Sequence, residues 1–245
     1  MITEFVFSMC LALWNGIFRF FSMKRRFFSF PNSDTQSSVP TICYAVTASD
    51  ESVELQTLLN QLFKHKRNED EILLLLDASA TTKDVRRVVE IEKSKIDTLI
   101  EFPLNRDFAS FKNHIIDHTR KDYIFQIDAD ELISPFLINS LPYFLAANRE
   151  VEMFRVARIN LLIDDEMSLI DWEDLPSVSE REYIHFPDYQ YRVLKNNTNV
   201  RWIRSLHEIL TGFRSYSYLP KDKEYCLLHC KRASKHTKRW WNNKG

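Results

Sequence analysis

From Thr41 to Asp128 the chain alternates short apolar runs with amphipathic helical patterns, and this alternation limits the fold more than any other feature. The apolar runs are Thr41 to Thr47, Ile72 to Leu76, Ile96 to Phe102 and Tyr123 to Asp128. The first intervening stretch places Leu55, Leu58, Leu59, Leu62 and Phe63 at i, i+3, i+4, i+7 and i+8, which is one face of a helix. Val85, Val88 and Val89 mark a second helix, and Phe108, Phe111 and Ile115 a third. Ser49 with Asp50, Thr81 with Asp84, and Asn105 or Asp107 are the expected N-terminal caps. Strands alternating with helices in this way predict an α/β fold, a mostly parallel sheet with helices on both faces.

Sheets of this kind bind ligands at the carboxyl ends of their strands. Here those ends carry Thr47, Asp77, Asn105-Arg106-Asp107 and Asp128-Ala129-Asp130. If the fourth strand continued through the acidic run, Asp128 and Asp130 would present carboxylates on one face. Such a pair can hold a divalent cation, although Mg²⁺ completes its shell with substrate phosphates. A lone D-x-D is more often an acidic loop after a core strand than a site. The polar residues gathered on one edge, where helix N-termini also favour an anion, make it a candidate site.

Composition narrows the chemistry. The chain has only three glycines, Gly16, Gly212 and Gly245, so no Walker loop or G-x-G-x-x-G turn is available to approach phosphates by backbone alone. A bound nucleotide must be held by side chains and a metal. With 33 Lys and Arg against 34 Asp and Glu, no global field points to nucleic acid. The cysteines Cys10, Cys43, Cys226 and Cys230 are too scattered for a disulfide framework, and Cys226 and Cys230 beside His229 read as core thiols rather than a metal cluster. A reducing, cytoplasmic setting fits.

Residues 1–40 stand apart, as an apolar segment followed by the polar linker 31–40. The apolar run through Phe21, broken by Asn15, Gly16 and Arg19 and flanked by Lys24-Arg25-Arg26, has three readings. It is a membrane anchor or membrane-surface helix on the cytoplasmic face, translation from a mistaken start ahead of Met23, or an ordinary packing helix. Beyond Glu131, Ser134-Pro135 opens a helix to about Ala147. Val151 to Leu162 and Gln190 to Leu194 read as strands around an irregular acidic insertion, 164–188. A further strand is expected near Tyr216–Leu219, and residues 231–245 form a basic tail with Trp240 and Trp241 that can touch a membrane surface.

The motifs Asp107-Phe108-Ala109 with Lys112-Asn113, then Asp128-Ala129-Asp130-Glu131, then His207-Glu208, resemble glycosyltransferase family 2 of GT-A fold, in the bacterial and viral branch with D-F-A-x-x-R-N, D-A-D-E and a late H-E. The resemblance implies a domain over 41–230, with a nucleotide-binding half over 41–131 and a mixed α+β acceptor half over 132–230. It implies Thr47, Glu51, Asp77, Asp107, Lys112, Asp128 and His207 at the nucleotide sugar. It further implies Mn²⁺ or Mg²⁺ on Asp130 and Asp128 with His207, and His229 near the diphosphate. The expected reaction is inverting transfer from a UDP- or GDP-sugar to a glycan, lipid-linked or protein acceptor. Asp130 and Glu208 would be catalytic, Glu208 as base with Glu131 and Asp171–Asp174 in reserve. Lys112 departs from the family's Arg, and an ammonium cannot grip a phosphate or base bidentately.

Two alternatives come from other classes. A haloacid-dehalogenase-like phosphatase would use Asp128-x-Asp130 with Asp164-Asp165, but the spacing leaves too little chain for the βα units between them. A catalytically silent nucleotide- or glycan-binding module would keep the scaffold without turnover.

Overall fold

A computed structural model describes residues 39–163, 184–197 and 199–232. Four βα units come first. The strands are β1 (Ile42–Ala48), β2 (Glu71–Asp77), β3 (Thr98–Phe102) and β4 (Tyr123–Asp128). The helices are α1 (Ser52–His65), α2 (Lys83–Glu92), α3 (Phe108–His118) and α4 (Pro135–Ala147), with β5 (Glu131–Ile133) between β4 and α4. The second half adds β6 (Met153–Ile163), β7 (Ile184–Lys195), β8 (Arg201–Ile203), β9 (Ile209–Thr211), β10 (Tyr216–Tyr218) and β11 (Leu227–Arg232).

The main sheet runs β3-β2-β1-β4-β7-β6-β11-β5, with β10 also paired to β6. Strands β3, β2, β1 and β4 are parallel, whereas β7 is antiparallel to both neighbours. The chain leaves β1 in one direction to build β2 and β3, then returns on the other side as β4. The crevice between the carboxyl ends of β1 and β4 is therefore the switch point where such sheets bind ligands. The two sequence halves meet in one continuous sheet.

Alternation along β1 sorts the core. Ile42, Tyr44 and Val46 join Leu55, Leu58, Leu59, Leu62, Val85 and Leu141 on the face covered by α1, α2 and α4. Cys43 and Ala45 join Phe111, Ile115, Trp202 and Leu210 on the other face, under α3 and the β8–β9 hairpin. Gly212 follows that hairpin at φ +85°, and a Cβ there would meet the Asn199 carbonyl at 1.8 Å, so only glycine fits.

Several boundaries differ from the sequence expectation. The cap of α2 is Thr82, whose hydroxyl accepts from the Val85 amide, rather than Thr81. Helix α1 begins after Glu51 rather than Ser49 or Asp50, and the Glu51 carboxylate turns back to accept from the Ser49 and Asp50 amides. Asp107 is the cap of α3 and accepts from the Ser110 amide. Strand β7 starts at Ile184 instead of Gln190, which places Asp188 inside the sheet. No helix among the described residues is long and apolar enough to cross a membrane. The apolar segment 1–22, the insertion residues 164–183 and the tail from 233 lie outside the described residues.

Candidate active site

At the switch point Thr47 and Asp128 are register partners, and the Thr47 hydroxyl donates to Asp128 Oδ1 at 3.0 Å. Strand β4 ends at Asp128, and Asp130 lies in the turn before β5. The expected single strand face carrying both carboxylates is therefore not formed. Asp128 Oδ2 instead accepts from Arg192 Nη2 at 2.6 Å, and the same nitrogen donates to Glu131 Oε1 at 2.5 Å. Glu131 is fully buried and Arg192 only 3% exposed. Burial alone would raise the Asp128 pKa, but the Arg192 guanidinium, and after it Lys112, hold it well below the usual carboxylate range.

The polar chain continues around the site. Arg158 reaches Glu131 at 3.4 Å and grips Asp188 Oδ2 with two nitrogens, at 2.9 and 2.6 Å. Asn160 Nδ2 donates to Asp188 Oδ2 at 3.4 Å, and Asn160 Oδ1 meets His229 Nδ1 at 2.9 Å. His229 Nε2 then lies 3.2 Å from Asp130 Oδ2. A circuit of side chains thus runs from Asp128 to Asp130 through Arg192, Glu131, Arg158, Asp188, Asn160 and His229. Only Glu131 comes from the D-A-D-E turn. The others stand on the adjacent strands β6, β7 and β11, with Arg158 and Asn160 two residues apart on one face of β6.

Donor chemistry decides which residues fit a divalent ion. Two ligands about 2.1 Å from one ion and at right angles stand about 3.0 Å apart, so the Asp130–His229 separation suits a shared cation. Asp128 is instead committed to Arg192 and Thr47. It is the His229 ring, not His207, that meets Asp130. Among the described residues no three His, Cys, Asp or Glu side chains converge on one metal position. A two-ligand pair suits Mn²⁺ or Mg²⁺ that takes its other oxygens from a diphosphate and water.

On the α3 side, Lys112 Nζ lies 4.7 Å above the Trp202 ring and pairs with Glu208. Asn113, the next residue, uses its amide like a strand neighbour: Nδ2 donates to the Trp202 carbonyl and Oδ1 accepts from the Trp202 amide, both at 2.9 Å. This explains the Lys-Asn pair: one side chain reaches the site while the other pins β8 to α3. The loops carrying these groups are unusual. Asn105, Arg106, Arg204 and His207 all have positive φ, between 47° and 72°, and the Phe108 amide donates to the Ser205 carbonyl at 2.9 Å to tie the loops together. Non-glycine residues in this region store strain, which clusters at functional sites.

Asp77 and Glu51 complete the edge. Asp77 Oδ1 accepts from the Ser79 amide and hydroxyl and from the Leu104 amide, at 3.0, 2.6 and 3.0 Å. Burial pushes this carboxyl up, but those donors outweigh it and hold the pKa below the ordinary value. Glu51 goes the other way: burial first, then the neighbouring Asp50, pushes it up to about 7.

Thr47, Asp128, Lys112 and Glu208 thus form one electrostatic group, and Asp130 with His229 forms a second beside it. Asp107 serves as helix cap, and His207 is exposed on its loop. Arg192, Arg158, Asp188 and Asn160 had no sequence signal beyond alternation on strands, because they are matched by cross-strand register rather than by spacing.

The family model described as Glycosyl transferase family 2 matches residues 44–205. Among solved structures, S. aureus TarS residues 1–349 superposes with a TM-score of 0.51 at 12% identity, covering 78% of this chain and 60% of that one. The same protein in complex with UDP-GlcNAc gives 0.51 at 14% identity, covering 81% of this chain and 60% of that one. The chain therefore spans about three fifths of that TarS fragment. These likenesses identify the fold as GT-A. No match among curated protein sequences reaches significance.

Proposed function

The chain belongs to glycosyltransferase family 2, and on that premise we propose that it transfers a sugar from a nucleotide-diphosphate donor to an acceptor hydroxyl, with inversion at the anomeric carbon. Membership removes the phosphatase alternative. The observation that carries the reading is the Asp130–His229 pair, 3.2 Å apart at the switch-point edge, which fits a diphosphate-bound Mn²⁺ or Mg²⁺. When bound, that ion neutralises charge developing on the diphosphate leaving group.

The chain's own residues divide the remaining work. Asp77 is ionised and suits a base with an N–H on its pairing edge, uracil or guanine. The bound UDP-GlcNAc of the TarS complex supports a uridine donor. Thr47 and the Asp128–Arg192 pair border the ribose and diphosphate. Glu208 takes the proton from the acceptor hydroxyl as that oxygen bonds to the anomeric carbon and the diphosphate departs. Glu131 does not serve as base, being fully buried between two guanidinium groups. The reserve acids Asp171–Asp174 lie outside the described residues. Localisation on the cytoplasmic side, with membrane contact through residues 1–22 or the basic tail, belongs to this proposal. Membrane partition of proteins started at Met1 and at Met23 tests it.

The central experiment is a screen of UDP- and GDP-sugars by nucleotide release, with Mn²⁺, Mg²⁺ or chelator. Metal-dependent release, lost in Asp130→Ala, is expected; full activity in that variant rules the assignment out. A silent binding module is the second reading, favoured by the closed Lys112–Glu208 pair that occupies the proposed base. Donor binding without release across the panel, with and without candidate acceptors, would establish it.

A further inference from the structure

The partly and fully buried arginines Arg67, Arg158, Arg192 and Arg201 each hold a carboxylate, that of Asp70, Asp188, Asp128 and Asp117 respectively. Arg155 is also only partly exposed, yet no carboxylate among the described residues pairs with it. Its surroundings are aromatic instead. On β6 it stands in register with Tyr191 of β7 on one side and Tyr218 of β10 on the other. Its Cζ lies 4.3 Å over the Tyr191 ring and 6.0 Å from the Tyr218 ring, and Nη2 donates to the Tyr191 hydroxyl at 2.5 Å. A guanidinium has five N–H donors. Here Nε is buried without a partner, whereas Nη1 has no hydrogen bond among the described residues and is not buried. Tyr216, 51% exposed, extends the row 6.0 Å beyond Tyr218. At the other end Tyr191 meets Trp202 edge-on at 6.1 Å, and Trp202 is the ring beneath Lys112, the partner of Glu208.

We infer that this row is the acceptor subsite and that the acceptor it fits is an anionic saccharide. The C–H face of a sugar ring packs on the half-exposed tyrosines, whose hydroxyls meet its polar edge. A carboxylate or phosphate on the same sugar pairs with Arg155 through Nη1, a charge-assisted hydrogen bond that supplies the missing counter-charge. A neutral sugar would leave the guanidinium unpaired, and a small anion would leave the rings uncovered. The row continues along the sheet face to the group expected to take the proton of the acceptor hydroxyl. Its role as acceptor site rests on the glycosyltransferase reading above; its binding of an anionic sugar does not.

The test uses the full chain free of metal and nucleotide, titrated by NMR. The probes are glucuronate and glucose 6-phosphate for the two acids, with glucose, acetate and inorganic phosphate as their separate halves. Ring signals of Tyr191, Tyr216 and Tyr218 report the row, and the amides of Thr47 and Asp128 report the donor crevice. At least one of the two acidic sugars should bind about 10-fold more tightly than glucose or its own anion, with shifts on the tyrosines; which one does so names the acid. Arg155→Met keeps a stem on Tyr191 without the charge, and the advantage over glucose should vanish. Arg155→Lys should retain part of it. Tyr216→Ala, at an exposed ring, should weaken every sugar but neither free anion. Glucose binding as tightly as both acidic sugars, or an advantage that survives in Arg155→Met, overturns the role of Arg155. Free anions binding as tightly as the acidic sugars, or shifts confined to Thr47 and Asp128, overturn the saccharide row. Acidic-sugar binding on the tyrosines in a protein that releases nucleotide from no donor leaves the sugar site standing and overturns its role as acceptor site, and with it the glycosyltransferase reading.

Discussion

Lys112 Nζ donates to Glu208 Oε1 at 2.5 Å across 96 residues of chain. The two side chains are 11% and 18% exposed, so the pair is only partly screened by solvent. It joins the D-F-A-x-x-K-N helix to the late H-E loop, and it leaves the proposed base neutralised until the ammonium is drawn elsewhere. A donor diphosphate is an anion that can draw it.

If Glu208 is the base, Glu208→Gln should lower turnover by about 10²- to 10⁴-fold with little change in donor affinity. Lys112→Met should weaken donor binding as well. Because the residues touch, their effects on stability should not add. A double-mutant cycle by urea denaturation should return a coupling of about 0.5–3 kcal/mol. Additive losses would mean that the pair is not formed in solution.

The Asp128–Arg192–Glu131 cluster makes a sharper stability prediction. Arg192→Met leaves two carboxylates facing each other with one cation fewer, and breaking a buried pair in this way costs about 3–5 kcal/mol. The depressed Asp128 pKa sets the pH dependence. The unfolded carboxyl titrates at about 3.9, so the stabilisation from Asp128 is complete above that pH and is lost as pH falls below it. Urea denaturation should show the gap between wild type and Asp128→Asn narrowing below about pH 4. A gap independent of pH would place the Asp128 stabilisation outside its charge.

The contrast between legible and hidden residues follows from how each is held in place. Leu55 to Phe63 and the four apolar strand runs announced themselves because helix and strand periods are local, and β1 to β4 form within a few residues of expectation. The Asp107 cap and Lys112-Asn113 were legible as a motif, although the role of Asn113 in pinning Trp202 depends on β8, 89 residues downstream. Arg192 could not be found this way. Its neighbours in sequence, Tyr191 and Val193, look like an ordinary strand, and only the antiparallel register of β7 against β4 and β6 brings it between Asp128 and Glu131. His229 was expected near the diphosphate but His207 was preferred for the metal. Both follow late apolar stretches, and nothing local says which loop or strand returns to the β4 turn. The pairing of β11 with β5, His229 opposite Glu131, decides it.

Asp77 predicts base selectivity. Three donors converge on Oδ1, which leaves Oδ2 without a protein partner among the described residues and the carboxylate ionised. An acceptor-only group rewards an N–H and repels a lone pair, so uridine and guanosine diphosphates should bind more tightly than cytidine or adenosine diphosphate. The substitution Asp77→Asn puts an NH₂ donor where one carboxylate oxygen stood. It should cost the preferred nucleotide about 10-fold or more in affinity while hardly changing the others. Calorimetric titration of the four diphosphates reads the pattern. Equal losses for all four would make Asp77 a loop-ordering residue only.

Glu51 gives the last prediction, and its sign is opposite to that of Asp128. Its carboxyl is pushed up to about 7 by burial first and Asp50 second, with Asp130 adding to the shift. The unfolded carboxyl titrates at about 4.3. Between those values the folded protein holds a proton that the unfolded chain has released, so stability falls as pH rises through this window and levels off above it. Glu51→Gln should flatten that slope in urea denaturation between about pH 4.3 and the raised folded value. Nucleotide binding adds a second signature, because a diphosphate arriving beside a half-ionised carboxylate raises its pKa further. Wild-type protein at pH near that midpoint should take up protons on binding UDP, seen as a dependence of the binding enthalpy on buffer ionisation enthalpy. Glu51→Gln should take up fewer. The same uptake in both proteins would mean that another group beside the diphosphate is the one that titrates.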